Sequence, residues 1–74
     1  MSRKDYEHLA TLLGAALAIE YKRNDATAAT AERIVDEVAY GLVGTNPRYD
    51  RSRFIAAVYA EARRYGEVLT HKGF

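Results

Sequence analysis

The chain has no cysteine, no tryptophan and a single proline, and its 74 residues carry a formal net charge of only +1. Each shortage removes a class of protein. Without cysteine there is no disulfide framework and no thiolate metal site, which fits a reducing compartment. His8 and His71 are the only histidines and lie too far apart in sequence to suggest a zinc site. The near-neutral balance gives no global field for nucleic acid or membranes. No apolar run reaches the roughly 18–20 residues that a membrane span needs. The start, Met1-Ser2-Arg3-Lys4-Asp5-Tyr6, leads into an amphipathic pattern containing Glu7 and Glu20, not into a signal-peptide core. The expectation is one domain over residues 1–74, with no cofactor, no metal and no membrane, staying in the cytoplasm.

A chain this short buries only about 60% of its unfolded surface in a single core. Domains of this size are usually stapled by disulfides, metal or self-association. With the first two excluded, a second copy or another partner is the staple to expect.

The charges that are present are unevenly placed. In the middle of the chain Arg33 stands against Asp25, Glu32, Asp36 and Glu37. From Gly44 onward the balance turns basic, with Arg48, Arg51, Arg53, Arg63, Arg64 and Lys72.

Hydrophobic periodicity marks three helices, roughly 3–23, 26–43 and 51–69. Ser2 caps the first, with Asp5 as a short-armed capping-box partner. Its stripe of Tyr6, Leu9, Leu13, Ala16 and Leu17 is widened by Leu12 and Ile19 to an arc of roughly 200°. Two explanations stand for that width: the first helix touches both others, or an edge of Leu12 and Ile19, joined by the outward Tyr40, meets a second chain. Glu20 falls at the end of the arc and is read as reaching solvent.

Asp25, Thr27 and Thr30 all offer caps for the second helix, which shows Ala31, Ile34, Val35, Val38 and Leu42 on one side. Gly44 suits the left-handed residue after its end, and Pro47 prevents continuation. Asp50 caps the third helix, placing Tyr49 and Phe54 as a hydrophobic staple. The stripe beyond runs through Ala57, Val58, Ala62, Tyr65 and Leu69, and Phe74 lies in a terminal tail that is either frayed or folded back. Gly14, Gly41 and Gly66, one inside each helix, each cost about 1 kcal/mol against alanine, and close helix–helix approach is the expected reason. The fold class is all-α, a small three-helix bundle running up, down and up.

The search for chemistry is negative. There is no nucleophile elbow, glycine-rich phosphate loop or metalloprotease helix, and no catalytic residue is assigned. Glu32 and Asp36 share a helix face but lack the histidine or second carboxylate pair that would complete a metal site, and read as a solvated acidic face. His8 reads as a surface histidine. The segment Arg48–Phe54 is different because it breaks a local rule. Arg51 and Arg53 occupy the first turn of a helix, where the dipole disfavours cations by about 0.3–1 kcal/mol each, and Arg48 stands just outside. Three readings follow: internal pairing with Asp5 and Glu7 at the same end of the bundle; an acidic protein partner held by Arg48, Tyr49, Arg51 and Arg53; or nucleic-acid phosphate at the same arginines. The last is weakened by Ala56 and Ala60 on the outer face of the third helix, which offer nothing to read bases with.

The opening Met1–Tyr6 and the segment Asn46-Pro47-Arg48-Tyr49-Asp50-Arg51-Ser52-Arg53-Phe54 together resemble a group of small uncharacterised proteins encoded by phages of actinobacteria. Those proteins have a basic-Asp-Tyr start and an Asn-Pro-Arg-aromatic-Asp-Arg-x-Arg-Phe segment near their end. They typically stop soon after it, often with Ala-Ala-Cys, whereas here the third helix runs on without cysteine. The resemblance implies a phage origin and expression inside the host cell. The function expected is that of a non-enzymatic phage accessory protein, a module binding a host or phage protein, with a homodimer through the first helix a further option. A weak nucleic-acid-binding accessory protein is the alternative.

Overall fold

The computed structural model describes the backbone of residues 2–71 and the side chains of residues 2–67; the expectations placed on the side chains of Leu69 and Phe74 lie outside these. Three helices follow one another, α1 over Arg3–Arg23, α2 over Asp25–Gly41 and α3 over Arg51–His71, and form the expected all-α bundle. The third continues slightly beyond its expected end.

Each boundary has an identifiable cause. The Ser2 hydroxyl accepts from the Asp5 N–H at 3.3 Å while the Asp5 carboxylate accepts from the Ser2 N–H at 2.9 Å, a complete capping box. Those bonds hold the Asp5 carboxyl below its ordinary pKa. The α1–α2 link is shorter than the sequence suggests. Asn24 alone, in extended conformation (φ −170°, ψ 165°), ends one helix and caps the next. Its side-chain oxygen accepts from the Thr27 N–H at 2.9 Å and its own carbonyl accepts the Thr27 hydroxyl at 3.1 Å. The caps expected at Asp25, Thr27 or Thr30 are therefore corrected to Asn24. At its far end α2 stops at Gly41, two residues before the expected 43, because the chain tightens there. The Val43 N–H goes to the Tyr40 carbonyl and the Thr45 N–H to that of Leu42, three residues back instead of four. Gly44 then takes φ 92°, the left-handed value its position implies.

The core is built around α1. Ala10, Gly14 and Ala18, four residues apart, form a strip of small side chains against α3. An added Cβ on Gly14 would lie 2.6 Å from the Glu61 Cβ, 2.8 Å from the Val58 carbonyl oxygen and 2.9 Å from the Ala62 nitrogen. The close approach expected for all three glycines holds at Gly14 only. An added Cβ on Gly41 or Gly66 would meet nothing within 4 Å. Leu17, Val35 and Val58 are the largest fully buried side chains, and Phe54 closes the core at the end where α3 begins. Because α1 packs on both other helices, part of its wide apolar arc is accounted for inside the chain.

The opposite end carries a polar clasp. The hydroxyls of Tyr21 (α1) and Tyr59 (α3) both donate to the Glu32 carboxylate (α2), at 3.2 and 3.4 Å. Glu32 is therefore not part of a solvated acidic face; it is half-buried and tied to both neighbouring helices. Glu20 stays half-buried beside Arg23, with 3.6 Å between the charged atoms. Partial burial and the adjacent carboxylate push the Tyr21 phenol up to about 12, and the same causes raise Tyr59.

Two outcomes follow. Gly14→Ala should destabilise the fold by about 1–3 kcal/mol, since the atoms it meets are backbone or first side-chain carbons that cannot swing away. Gly66→Ala should stabilise it by up to about 1 kcal/mol; urea titrations of the two variants measure both. The second concerns alkali. In the unfolded chain the phenols ionise near pH 10, whereas in the fold Tyr21 holds its proton to about 12. Between those values the folded state binds more protons than the unfolded one, so stability is intact below pH 10 and falls as pH rises toward 12. Urea midpoints across that range should show a shallower fall in Tyr21→Phe.

Candidate functional site

The turn between α2 and α3 is set by its own residues. Asn46 accepts the Arg48 N–H on its side chain at 2.8 Å and the Tyr49 N–H on its carbonyl at 3.0 Å, with Pro47 between them. This is a β-turn with Asn at its first position and Pro at its second, where the fixed proline φ is already suitable. Asp50 follows as the expected N-cap of α3, its carboxylate accepting the Arg53 N–H at 3.1 Å. The turn and cap together swing Tyr49 inward and leave the arginines outside.

Tyr49 then meets all three helices. Its ring stacks on Tyr6 of α1 with centroids 5.2 Å apart and planes 27° from parallel. It lies 5.9 Å from the Phe54 ring of α3, tilted by 55°, which is the expected staple. Its hydroxyl donates to the Ala39 carbonyl of α2 at 2.6 Å. That carbonyl is one of those left over where the end of α2 tightens, so the phenol completes the helix end. Partial burial raises the Tyr49 pKa. The Thr45 hydroxyl donates to the Leu42 carbonyl at 2.7 Å and accepts from Tyr6 at 2.6 Å, so the second tyrosine is anchored to the same loop.

An open cleft of about 680 Å³ lies over this aromatic cluster. Tyr6, Tyr49 and Phe54 contribute to its lining, with Ala10 and Ala57. Arg48 and Arg53 stand at the cleft together with Arg3, which the sequence did not single out. Arg51 does not line it, although its charge is near enough to bear on the Tyr49 phenol. Tyr49 belongs to the cleft as a wall that also holds the fold.

The internal pairing open to the arginines is not made. Asp5 is engaged by Ser2, and Glu7 is taken by Arg3 at 3.0 Å. Among the described residues, Arg48, Arg51 and Arg53 form no ion pair, and all three are exposed. Their guanidinium donors face water next to the start of α3, whose backbone N–H groups and dipole also favour negative charge. The negative groups at the cleft, Glu7 and Asp50, are occupied by Arg3 and by the α3 backbone. Chemically, the arrangement can receive an anionic group on two forked donors with an aromatic surface beside it.

The residues of the expected self-association edge, Leu12 and Ile19 on α1 and Tyr40 on α2, are all exposed. Leu12 lies about 200° round α1 from Ala10, the residue that lines the α3 side. Sequence periodicity places residues on a helix, but not on which flank the neighbour will dock.

Among the described residues there is no group of three or more histidines and carboxylates arranged to hold a metal ion, and no helix long and apolar enough to cross a membrane. Comparison of the chain with protein-family models, with curated proteins and with solved structures found no match to any of them.

Proposed function

We propose that this chain is a non-enzymatic interaction module of phage type that holds an acidic segment of a host or phage protein in the cleft between the starts of α1 and α3. The observation that carries the reading is the unpaired state of Arg48, Arg51 and Arg53 beside an aromatic-lined cleft. Three cations at the start of a helix cost stability and, without internal carboxylate partners, contribute none in return. An aspartate- or glutamate-rich segment supplies the missing charge, Arg48 and Arg53 orient it through paired N–H donors, and Tyr6, Tyr49 and Phe54 give an apolar surface against which a neighbouring side chain packs. Such a partner is met inside the host cell, in its cytoplasm.

A nucleic acid would meet the same guanidiniums but gains less here. Phosphate binding grows with the number of cations engaged. The cleft offers few, and the acidic residues of α2 and a net charge of +1 give no wider attraction.

The test is a fluorescence-anisotropy titration of a labelled Asp/Glu-rich peptide containing one aromatic residue, with duplex and single-stranded DNA as parallel probes. The peptide should bind, and replacing Arg48, Arg51 and Arg53 by alanine should weaken it at least about tenfold, equivalent to about 1.4 kcal/mol. The same triple replacement should leave the melting temperature unchanged or slightly higher, because no ion pair is lost and the dipole conflict is relieved. A melting temperature that falls by several degrees would mean that the arginines serve the fold. Binding of DNA in preference to the peptide, steeply weakened by salt, would replace the acidic-segment reading.

A further inference from the structure

On the flank of the molecule away from α3 there is an apolar ridge that the bundle leaves uncovered. Leu12 and Ile19 of α1 are 54% and 42% exposed, and Ile34 of α2 is 53% exposed. Leu12 follows Ala10 by two residues and Ile34 follows Glu32 by two, so each lies about 200° round its helix from a residue on the α3 side. Both therefore face away from α3. The bundle is thin, with Cα extents of 41 × 23 × 14 Å, and a helix with its side chains is about 10–12 Å across. A third helix on one side of the α1–α2 pair leaves the other side open.

We propose that this ridge is the interface of a homodimer in which two α1 helices pack antiparallel about a two-fold axis near Ala15 and Ala16. Three observations point to a second copy as the occupant. The first is charge. α1 has Asp5 in its first turn and Lys22 and Arg23 in its last. Along the exposed flank Asp5, Leu12 and Ile19 follow at seven-residue spacing, with Ala16 between the two apolar residues and Arg23 one turn beyond Ile19. An antiparallel second α1 sets Leu12 against the partner's Ile19 and brings Asp5 within about one turn of the partner's Arg23. The dipoles of the two helices are then opposed, which is favourable. Asp5 and Arg23 each keep bonding capacity: Asp5 uses one oxygen for the Ser2 N–H, and Arg23 has a 3.6 Å pair with Glu20.

The second observation is shape. Ala16 is exposed and Ala15 half-buried, so the midpoint of the ridge has no large side chain and two helices can approach closely. Leu12 and Ile19 on each side supply the apolar contacts.

The third is the size of the core. The largest fully buried side chains are only Leu17, Val35 and Val58, while Leu12, Ile19, Tyr21, Ile34, Tyr40, Val43 and Tyr65 are all exposed. No cysteine is present to staple so short a chain. Association adds the missing apolar burial. The arginine cleft lies on the α3 side of α1, so pairing through the ridge leaves both clefts of the dimer open.

The experiment combines mass and cross-linking on the full chain. Light scattering coupled to size exclusion at high micromolar concentration should give twice the 8.3 kDa chain mass. Leu12→Lys with Ile19→Lys, both at exposed positions, should give the single-chain mass with unchanged helical circular dichroism. Because the chain lacks cysteine, single cysteines report proximity directly. Ala16→Cys, beside the two-fold axis, should oxidise to a covalent dimer much faster than Ser52→Cys on α3. A wild-type mass of 8.3 kDa would overturn the proposal. A double-lysine variant that remains dimeric would overturn it too, as would equal oxidation rates for the two cysteines.

Discussion

The phenol ring of Tyr49 joins three helices that otherwise have few large side chains in common. It stacks on Tyr6 of α1, tilts against Phe54 of α3 and hydrogen-bonds the Ala39 carbonyl at the end of α2. Aromatic pairs of this geometry contribute about 0.5–1.5 kcal/mol each beyond the area they bury, and the hydrogen bond adds about 1 kcal/mol. In a domain whose net stability is of the order of a few kcal/mol, these are large shares. They are also concentrated at one point of the chain, just after the only proline and just before the cap of α3. The geometry of the turn, the start of α3 and the end of α2 are therefore not independent features.

That concentration explains why the arginines lie where they do. The neighbours of the inward-facing Tyr49, Arg48 and Asp50, are exposed, and Arg51 follows, also exposed, as the first residue of α3. The turn holds the Arg48 backbone through the Asn46 side chain, and the Asp50 cap does the same for Arg53. The guanidiniums are long and exposed, but they spring from a fixed corner. A surface of this kind loses little backbone entropy when it meets a partner. At the other end of the bundle the Tyr21–Glu32–Tyr59 clasp does related work with hydrogen bonds. Between the two ends, Gly14 lets α1 and α3 touch through backbone and Cβ atoms.

The features of this fold that could be read in advance are the local ones. The Ser2 box, the Asp50 cap, the Tyr49–Phe54 staple and the left-handed Gly44 each involve residues a few positions apart, and local chemistry suffices for them. The start of α2 was not decided in this way. The run from Asn24 to Thr30 offers several side chains able to cap a helix, and Asn24 prevails because it can close α1 and open α2 at once. The Glu32 clasp spans helices, so helical spacing alone made Glu32 and Asp36 look like a solvated pair. Gly41 and Gly66 resemble Gly14 in sequence, and only the position of α3 separates them. The cleft was half legible. Arg48, Arg53 and Tyr49 stood out by breaking the dipole rule or by forming the staple, whereas Arg3 and Tyr6 join the site only because α1 and α3 begin at the same end.

If Tyr49 ties the helices together through its ring contacts, those contacts must be coupled in energy. The direct measurement is a double-mutant cycle of Tyr6→Leu and Tyr49→Leu, read from urea unfolding of the wild type, both single variants and the double. The hydrogen bond to Ala39 is lost in every variant that lacks Tyr49 and cancels from the cycle, leaving the stacked pair. A coupling energy of about 0.5–1.5 kcal/mol is the expected result. Effects that add within about 0.3 kcal/mol would show that the two rings stabilise the protein independently, and would contradict the account of the corner on which the arginine cleft is built.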